Sequence, residues 1–368
     1  MGYQCITPFL KFLYVLMFLV SLPKYFAHRK HGANNSVPAI LIFGDSYIDA
    51  GNNNYVMNTM VRANFPPYGR DFPNHLATGR FSNGKVFPDF IASYLGIKET
   101  VPAYLDPKLT VEEIKTGVNF GSAGSGYDPL TTTLTGAIPM AKQLKNFKEY
   151  KKRLQSIMTK DEIKKHLKKT VFVICCISND LAFNYLTVPL RKTHYTPSAY
   201  QKYIVRKSRQ FIKDLRELGA RRVIAYGAPP LGCLPLIITI RLKDTFLQRE
   251  CVENDLKLSK EYNQKLKNEL SIIQKETKGE GGKVVYGDLY NPMIDMVKNP
   301  TKHGIEVAGR SCCGTGYAEA TSYLCNAMTP VSSDADKYIF WDSAHPTENT
   351  HHEIFLASRS TIDKLIKS

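Results

Sequence analysis

Short apolar runs alternate with amphipathic helical patterns along most of the chain, and this alternation restricts the fold more than any other feature. Four runs are typical of strands buried on both faces: 39–43, 171–177, 221–227 and 283–288. Three long stretches repeat apolar residues at helical spacing: 198–218, 252–276, and the stretch from Pro346, expected in the first helical turn, towards Ile366. Strands that alternate with helices predict an α/β fold, in which helices cover both faces of a parallel sheet.

The first 27 residues differ from the rest of the chain. Residues 9–22 are almost all apolar, but this run is shorter than the roughly 20 apolar residues that a membrane span needs. It is typical of a secretory signal peptide with cleavage after Ala27, and an uncleaved anchor is the alternative. We therefore expect a signal peptide at 1–27, a single domain at 28–368, and a secreted, extracellular protein. Asn34 begins a glycosylation sequon and is the expected glycosylation site.

Export would place the cysteines in an oxidising compartment, where disulfides form. Cys175 and Cys176 lie in an apolar run and are expected as buried thiols. The remaining cysteines beyond the signal peptide are Cys233, Cys251, Cys312, Cys313 and Cys325. The first two can close one loop, and the last can pair with either of the adjacent two to close another. A zinc site is disfavoured, because the chain has no Cys-x-x-Cys pair here and no nearby histidine pair at ligand spacing.

Positive charge is in large excess. The formal net charge is +16, and +14 remains without Lys11 and Lys24. Residues 142–169 hold eleven Lys or Arg against three Asp or Glu, and apolar residues recur there at helical spacing, so we expect a solvated basic helix face. The charge also suits an acidic cell-wall polysaccharide or an anionic lipid surface. No nucleic-acid motif accompanies it, and no protein partner is indicated.

Ser46 directly follows the first apolar run, at the carboxyl end of a predicted strand, where ligands bind in such sheets. A serine hydroxyl is a weak nucleophile and needs a base, normally a histidine held by a carboxylate. Asp342 and His345 lie in the stretch FWDSAHP, and no other Asp of the chain has a His three residues later. One short loop can therefore carry both groups, although the same spacing also suits an ordinary helix cap.

A serine hydrolase also needs N–H donors that stabilise the negative charge of its tetrahedral intermediate. The glycine-rich stretch 117–128 can offer backbone N–H groups, and Asn179, after the second predicted strand, can offer its side-chain amide. A tight turn and an Asx turn are the alternatives. A dinucleotide-binding loop is disfavoured, because the order of the glycines does not match G-x-G-x-x-G.

Together, and in this order, these segments resemble the plant GDSL esterase/lipase family of the SGNH hydrolase superfamily, over essentially all of residues 28–368. The resemblance is carried by FGDSYIDAGNNN, NFPPYGRDF, TGRFSNGKVFPDFIA, GVNFGSAGSGYD, SNDLAFNY, GAPPLGCLP, CCGTG and FWDSAHPTE. It implies a three-layer α/β/α sandwich with a flavodoxin-like parallel sheet. It also implies hydrolysis of carboxylic esters without a metal or cofactor.

The resemblance assigns roles to the matching residues. Ser46 is implied as the nucleophile, His345 as the general base and then the acid, and Asp342 as the residue that orients His345. The oxyanion hole is implied to comprise the Ser46 N–H, the Asn179 amide and an N–H of the 121–124 loop. For that loop we predict Gly124, with Ala123 as the alternative. Three further motif carboxylates are interpreted as holding loops: Asp45, Asp49 and Asp180.

The expected substrate is a small-molecule or lipid ester, with acyl lipids preferred over cutin-like polyesters and acetylated cell-wall sugars. Ile177 stands where many relatives have glycine, and a bulky residue there is expected to narrow the acyl pocket or to tilt the Asn179 loop. This residue keeps open the alternative of a catalytically weak lipid-binding or extracellular coat protein on the same fold. An acyltransferase that uses the same triad is the second alternative.

Overall fold

The computed structural model describes residues 37–188, 190–241, 249–316, 319 and 325–367. The predicted signal peptide at 1–27 and the predicted glycosylation site at Asn34 lie outside the described residues. Within them, no helix has both the length and the apolarity that crossing a membrane requires.

Four strands form one parallel sheet in the order β1-β2-β3-β4: β1 Ile40–Gly44, β2 Val171–Cys175, β3 Arg222–Tyr226 and β4 Lys283–Gly287. Their first residues are paired with one another across the sheet, as Ile40 with Val171 and Val171 with Arg222. The carboxyl ends of the strands therefore lie along one edge. β1, β2 and β3 are buried throughout, whereas the outer strand β4 is only partly buried.

A short stretch of chain continues the sheet beyond β1. The Ile42 N–H donates to Val118 O at 3.2 Å, and the Phe120 N–H donates to Ile42 O at 2.8 Å, so residues 118–120 lie parallel to β1. With residues 118–120 counted as the second strand of the chain, the strands lie across the sheet in the order second, first, third, fourth and fifth. This is the flavodoxin-like strand order. Residues 118–120 lie on one side of β1 and all later strands lie on the other, so the order in which strands are added reverses between β1 and β2. Ligands bind beside such a switch point.

Helices cover both faces of this sheet. Their bounds are α1 Phe87–Tyr94, α2 Val111–Thr116, α3 Pro129–Thr135, α4 Met140–Gln155, α5 Lys160–Lys169, α6 Pro197–Glu217, α7 Pro235–Arg241, α8 Glu253–Glu276, α9 Tyr290–Lys298 and α10 Glu348–Ile366. On one face α4, α6 and α8 pack side by side, and on the other α10 packs between α1 and α9. The predicted three-layer α/β/α architecture is confirmed.

The basic stretch 142–169 forms two helices rather than one continuous helix. α4 ends at Gln155, and α5 begins at Lys160 because Thr159 caps it. The Glu162 N–H donates to the Thr159 hydroxyl at 3.3 Å, and the Thr159 N–H donates back to the Glu162 carboxylate at 2.8 Å. This reciprocal capping box satisfies N–H groups of the first helical turn and fixes the break.

The last helix begins at Glu348, two residues after Pro346. Thr347 is the N-cap of α10, because its hydroxyl accepts from the Thr350 N–H at 3.2 Å. Pro346 lies before the cap and pairs with Phe340 instead. The prediction that Pro346 belongs to the first helical turn is therefore wrong, since the Thr347 hydroxyl supplies the cap.

Two features outside the main sheet position the carboxyl-terminal part of the chain. Strands β5 Val307–Ser311 and β6 Tyr338–Phe340 form a separate parallel pair that sequence analysis did not predict.

Disulfides join Cys233 to Cys251 and Cys313 to Cys325, while Cys312 stays a buried thiol. The fold thus selects Cys313 over its neighbour Cys312. The expectation that Cys175 and Cys176 are buried thiols is confirmed.

Aromatic side chains fill the layer between the sheet and helices α4 and α6. Phe43 of β1 packs against Phe120 at a ring-centroid distance of 4.8 Å and against Phe147 at 5.7 Å. Phe147 also contacts Phe172 at 5.6 Å and is completely buried. Because interiors are close-packed, this cluster fixes where β1 ends relative to α4.

Replacing Phe147 with Ala tests this cluster. The substitution leaves a cavity under α4, so the free energy of unfolding should fall by about 3–5 kcal/mol, measured by urea denaturation with the disulfides intact. Lys148→Ala, at the exposed neighbouring position of the same helix, is the control and should cost less than about 0.5 kcal/mol. Similar losses in the two variants would contradict the assigned packing.

Candidate active site

Ser46 lies in a tight turn at the carboxyl end of β1. The strand pattern continues for one more residue, because the Asp45 N–H donates to Cys175 O at 2.9 Å. Asp45 then closes the turn by accepting from the N–H of Tyr47 at 3.1 Å and of Ile177 at 3.2 Å. Among the described residues, the Ser46 N–H has no hydrogen-bond acceptor. The turn thus presents both the hydroxyl and the N–H of Ser46.

Glycine is required just before this turn. Gly44 has φ +145°, and a Cβ built on it would lie 1.7 Å from the carbonyl oxygen of Cys175. Any side chain at position 44 would therefore push β1 away from β2. This close approach explains why the motif places glycine two residues before the serine.

His345 and Asp342 share the loop between β6 and α10. The Asp342 carboxylate accepts from the backbone N–H of Ala344 at 2.9 Å and of His345 at 2.8 Å. The Trp341 N–H donates to His345 O at 2.7 Å, which closes the loop. The three-residue spacing thus lets one carboxylate bind both the backbone and the side chain of the histidine.

The imidazole of His345 connects Asp342 to Ser46. Nδ1 lies 2.8 Å from both carboxylate oxygens of Asp342, and Nε2 lies 2.8 Å from Ser46 Oγ. A carboxylate can only accept, so Nδ1 carries the proton and Nε2 accepts from the serine hydroxyl. Ser46 and His345 keep only 5% and 7% of their surface exposed. The structure therefore brings together the three residues that the sequence singles out.

Tyr68 is a further contact of the carboxylate that sequence analysis did not identify. Its hydroxyl donates to Asp342 Oδ2 at 2.6 Å. Tyr68 belongs to the motif NFPPYGRDF, but no spacing in the sequence links it to a residue 274 positions away. The signal for Tyr68 in the sequence is that NFPPYGRDF is one of the segments that resemble the family.

The Asp342 carboxylate is held in its charged form. Burial by itself would raise its pKa, but the electrostatic interaction with His345 and hydrogen bonds from His345, Tyr68 and the Ala344 N–H outweigh burial. The pKa therefore lies below its ordinary value. An ionised carboxylate at this position stabilises positive charge on the imidazole.

Aromatic rings fix the orientation of the imidazole. Phe81 packs against it at a ring-centroid distance of 4.7 Å, and Tyr47 lies at 6.1 Å. The Tyr47 hydroxyl also donates to Ala344 O at 3.1 Å, which ties the serine turn to the histidine loop. Since both rings are buried, His345 has little freedom to rotate away from Ser46.

Within residues 121–124, a single backbone N–H lacks an acceptor among the described residues, where the sequence left two candidates. The Ala123 N–H donates to Asp49 Oδ2 at 2.9 Å, and the Ser125 N–H donates to Ser122 O at 3.0 Å. The Gly124 N–H has no acceptor among the described residues. Gly124 is thus the residue of the 121–124 segment whose N–H is available to a ligand, whereas the Ala123 N–H is not. The role of Gly124 in an oxyanion hole stays a prediction.

Asn179 lies at the start of a π-helical segment, Asn179–Thr187, that follows β2. Its amide donates to Ser125 O at 2.9 Å, which links this loop to the glycine-rich loop. An amide nitrogen has two hydrogens, so one remains available. The loops that follow β1, residues 118–120 and β2 therefore meet beside the switch point of the sheet.

Three buried carboxylates hold these loops through hydrogen bonds. Asp45 and Asp49 bind N–H groups of the serine turn and the glycine-rich loop, as described, and Asp180 accepts from Tyr127 N–H at 2.8 Å and Thr131 Oγ1 at 2.6 Å. Burial raises the pKa of Asp45 to about 6, of Asp49 to about 6 and of Asp180 to about 7. Their contacts agree with the loop-holding interpretation. Among the described residues, no group of three or more Asp, Glu, His or Cys could hold a metal ion.

Comparisons with known proteins point to one family. The family model described as GDSL-like Lipase/Acylhydrolase matches residues 40–357. The chain is similar to GDSL esterase/lipase At5g45960 from Arabidopsis thaliana, with 44% identity over 92% of this chain and 89% of the relative. It is also similar to GDSL esterase/lipase At1g06990 from the same plant, with 40% identity over 94% of this chain and 97% of the relative.

A comparison with solved structures matches the crystal structure of an extracellular lipase from Streptomyces rimosus. The match has 13% sequence identity and a TM-score of 0.33, and it covers 88% of this chain and 99% of that chain.

The raised pKa of Asp180 predicts a pH-dependent effect of Asp180→Asn. Between the unfolded pKa near 4 and the folded value of about 7, the folded state binds more protons, so Asp180 stabilises the wild-type protein at low pH and loses this contribution as pH rises. The variant should therefore be destabilised by about 2 kcal/mol more at pH 5 than at pH 8 in urea titrations.

The effect must be taken from the difference in stability between variant and wild type, because His351 changes the stability of both proteins with pH in the opposite direction. Burial lowers the pKa of His351 to about 3, so its contribution to stability falls as the pH drops over part of the same range. His351 is unchanged in Asp180→Asn and cancels in the difference. A destabilisation that is equal at both pH values would contradict the raised pKa of Asp180.

Proposed function

This chain belongs to the GDSL-like lipase/acylhydrolase family and is a carboxylic ester hydrolase, and we propose that it acts through an acyl-enzyme formed on Ser46. The observation that carries this proposal is the hydrogen bond of 2.8 Å between Ser46 Oγ and His345 Nε2. Nucleophile and base are within hydrogen-bond reach, and the base is oriented by a third group, which is the arrangement that activates a serine.

In the proposed first half-reaction, Ser46 Oγ attacks the carbonyl carbon of the ester while its proton moves to His345 Nε2. The charged Asp342 stabilises the resulting imidazolium through Nδ1–H. When the tetrahedral intermediate collapses, the bond to the leaving oxygen breaks, and His345 returns the proton to that oxygen. An alcohol leaves and the acyl group stays on Ser46.

In the second half-reaction, water replaces the alcohol. His345 takes a proton from the water as it attacks the acyl-enzyme, and then returns the proton to Ser46 Oγ as the carboxylic acid departs. In both steps the negative oxygen of the tetrahedral intermediate is proposed to bind the Ser46 N–H, the Gly124 N–H and the free hydrogen of the Asn179 amide. Neither backbone N–H has an acceptor among the described residues, which supports this assignment.

The proposed substrate is an acyl lipid ester, and the proposed site of action is extracellular. The names of the plant relatives, which combine esterase and lipase, support the substrate class. The two disulfides support export, because disulfides persist mainly in oxidising compartments. The apolar run at 9–22 supports it as well.

Ser46→Ala should abolish turnover of p-nitrophenyl butyrate, with a loss of several orders of magnitude in kcat, because no other group supplies the nucleophile. Labelling by a fluorophosphonate should also disappear. Ser271→Ala, at an exposed position of α8, is the control and should keep both. Retained turnover in Ser46→Ala would contradict the proposed nucleophile, and unlabelled wild-type protein would favour a catalytically weak binding protein.

Two substitutions, one at Asp342 and one at its hydrogen-bond donor Tyr68, should lower kcat by different amounts. Asp342→Asn should lower kcat by on the order of 10⁴, because an amide neither stabilises the imidazolium nor enforces the correct tautomer. Tyr68→Phe should lower kcat by only about ten-fold, since the carboxylate and its three remaining donors stay in place. Circular dichroism should show both variants folded. Equal losses in the two variants would contradict this division of roles.

A further inference from the structure

The amino-terminal edge of the main sheet carries a groove lined by positive charge. Its volume is about 430 Å³, and five cationic side chains line it: Lys151, Lys160, Lys164, Lys168 and Arg221. We call it the basic groove. Of the two acidic residues in its lining, Glu280 is already paired with Arg216 at 3.3 Å, which leaves Glu217. The groove therefore has a clear excess of positive charge.

The positive charge extends over the neighbouring surface of α4 and α5. Of the eleven cationic residues between 142 and 169, ten are exposed and Lys151 is partly buried. None of them forms an ion pair with a carboxylate of the described residues. Elsewhere Arg209, Arg191 and Lys302 are paired with acids. Unpaired like charges repel one another, so a bound anion would relieve a cost that the free protein bears.

The shape of the site favours a chain over a flat membrane. A groove is concave, and Lys160, Lys164 and Lys168 recur every four residues, which places them along one side of α5. No large apolar side chain is exposed between residues 140 and 169, because the apolar faces of α4 and α5 are turned to the core. A membrane-binding surface normally adds exposed apolar side chains that enter the lipid.

The residue types favour carboxylate groups over nucleic acid. Ten of the eleven cations are lysines, which act as hydrated point charges on flexible stems and suit a solvated anionic chain. Phe147 and Tyr150, the aromatic residues of α4, are completely buried, so α4 offers no ring on which bases could stack. The disulfides also indicate an oxidising compartment.

We propose that the basic groove binds an extended carboxylated polysaccharide, a polyuronate. The groove lies where α5 leads into the start of β2 and where Arg221 precedes β3, whereas Ser46 follows the end of β1. The strands are parallel, so the groove and the ester site lie at opposite edges of the sheet. Binding therefore leaves the ester site open and holds the enzyme on an acidic matrix. This proposal does not depend on the proposed catalytic mechanism.

The test measures binding of the full chain to immobilised polygalacturonate. The wild-type protein should bind at low salt and dissociate as salt rises, because each charge contact releases counterions. Lys160→Gln/Lys164→Gln/Lys168→Gln should bind about ten-fold more weakly, as expected for the loss of three exposed charge contacts. The matched control is Lys202→Gln/Lys257→Gln/Lys298→Gln, which removes the same charge from exposed positions on other helices and should change binding less than about two-fold.

Binding to other ligands, and binding by a catalytic variant, identifies the chemical group that the groove recognises. Fully methyl-esterified polygalacturonate should not bind, and neither should vesicles of anionic phospholipid. Ser46→Ala should bind polygalacturonate like the wild type, which separates this proposal from the catalytic one. Unchanged ester turnover and circular dichroism show that the variants are folded. Arg221→Gln is a second variant, at a residue of the groove outside α5.

Three results would overturn the proposal. Equal loss in the test and control variants would show that only net charge matters. Equal binding of the methyl-esterified polymer would exclude carboxylates as the recognised groups. Binding to the vesicles without binding to polygalacturonate would assign the surface to membranes.

Discussion

The parallel register of the main sheet is the constraint on which the rest of the structure depends. Because β1 to β4 run in the same direction with their starts aligned, every loop that follows a strand emerges at one edge. Ser46 and Asn179 follow neighbouring strands beside the switch point, and the glycine-rich loop continues from residues 118–120 next to β1. The same register leaves the opposite edge, with its basic groove, away from this chemistry.

The four buried aspartates of the site differ in what they face, and this difference separates their roles. Asp45, Asp49 and Asp180 mostly face backbone N–H groups, and burial raises their pKa values. Asp342 faces His345 and the hydroxyl of Tyr68, and its pKa is lowered although it is equally buried. Only Asp342 therefore combines a stable charge with direct contact to the imidazole. The other three set the loop geometry that the proposed oxyanion hole needs.

Patterns that act over a few residues were readable from the sequence. Apolar runs gave the four main strands to within a few residues, because burial on both faces requires a continuous apolar stretch. The spacing of Asp342 and His345 was equally informative, since a carboxylate can reach the N–H and the ring of a residue three positions later. The break between α4 and α5 was missed, although its capping box is local, because the apolar repeat spans it.

The sequence by itself determined the layered α/β architecture, the place of Ser46 after a buried strand and the local pairing of Asp342 with His345. Only the tertiary structure decided the contact of Tyr68 with Asp342, the choice of Gly124 over its neighbour, and the pairing of Cys325. The physical reason is distance along the chain. Local patterns report on hydrogen bonds and packing within one element, whereas contacts between distant loops depend on how all the elements pack together.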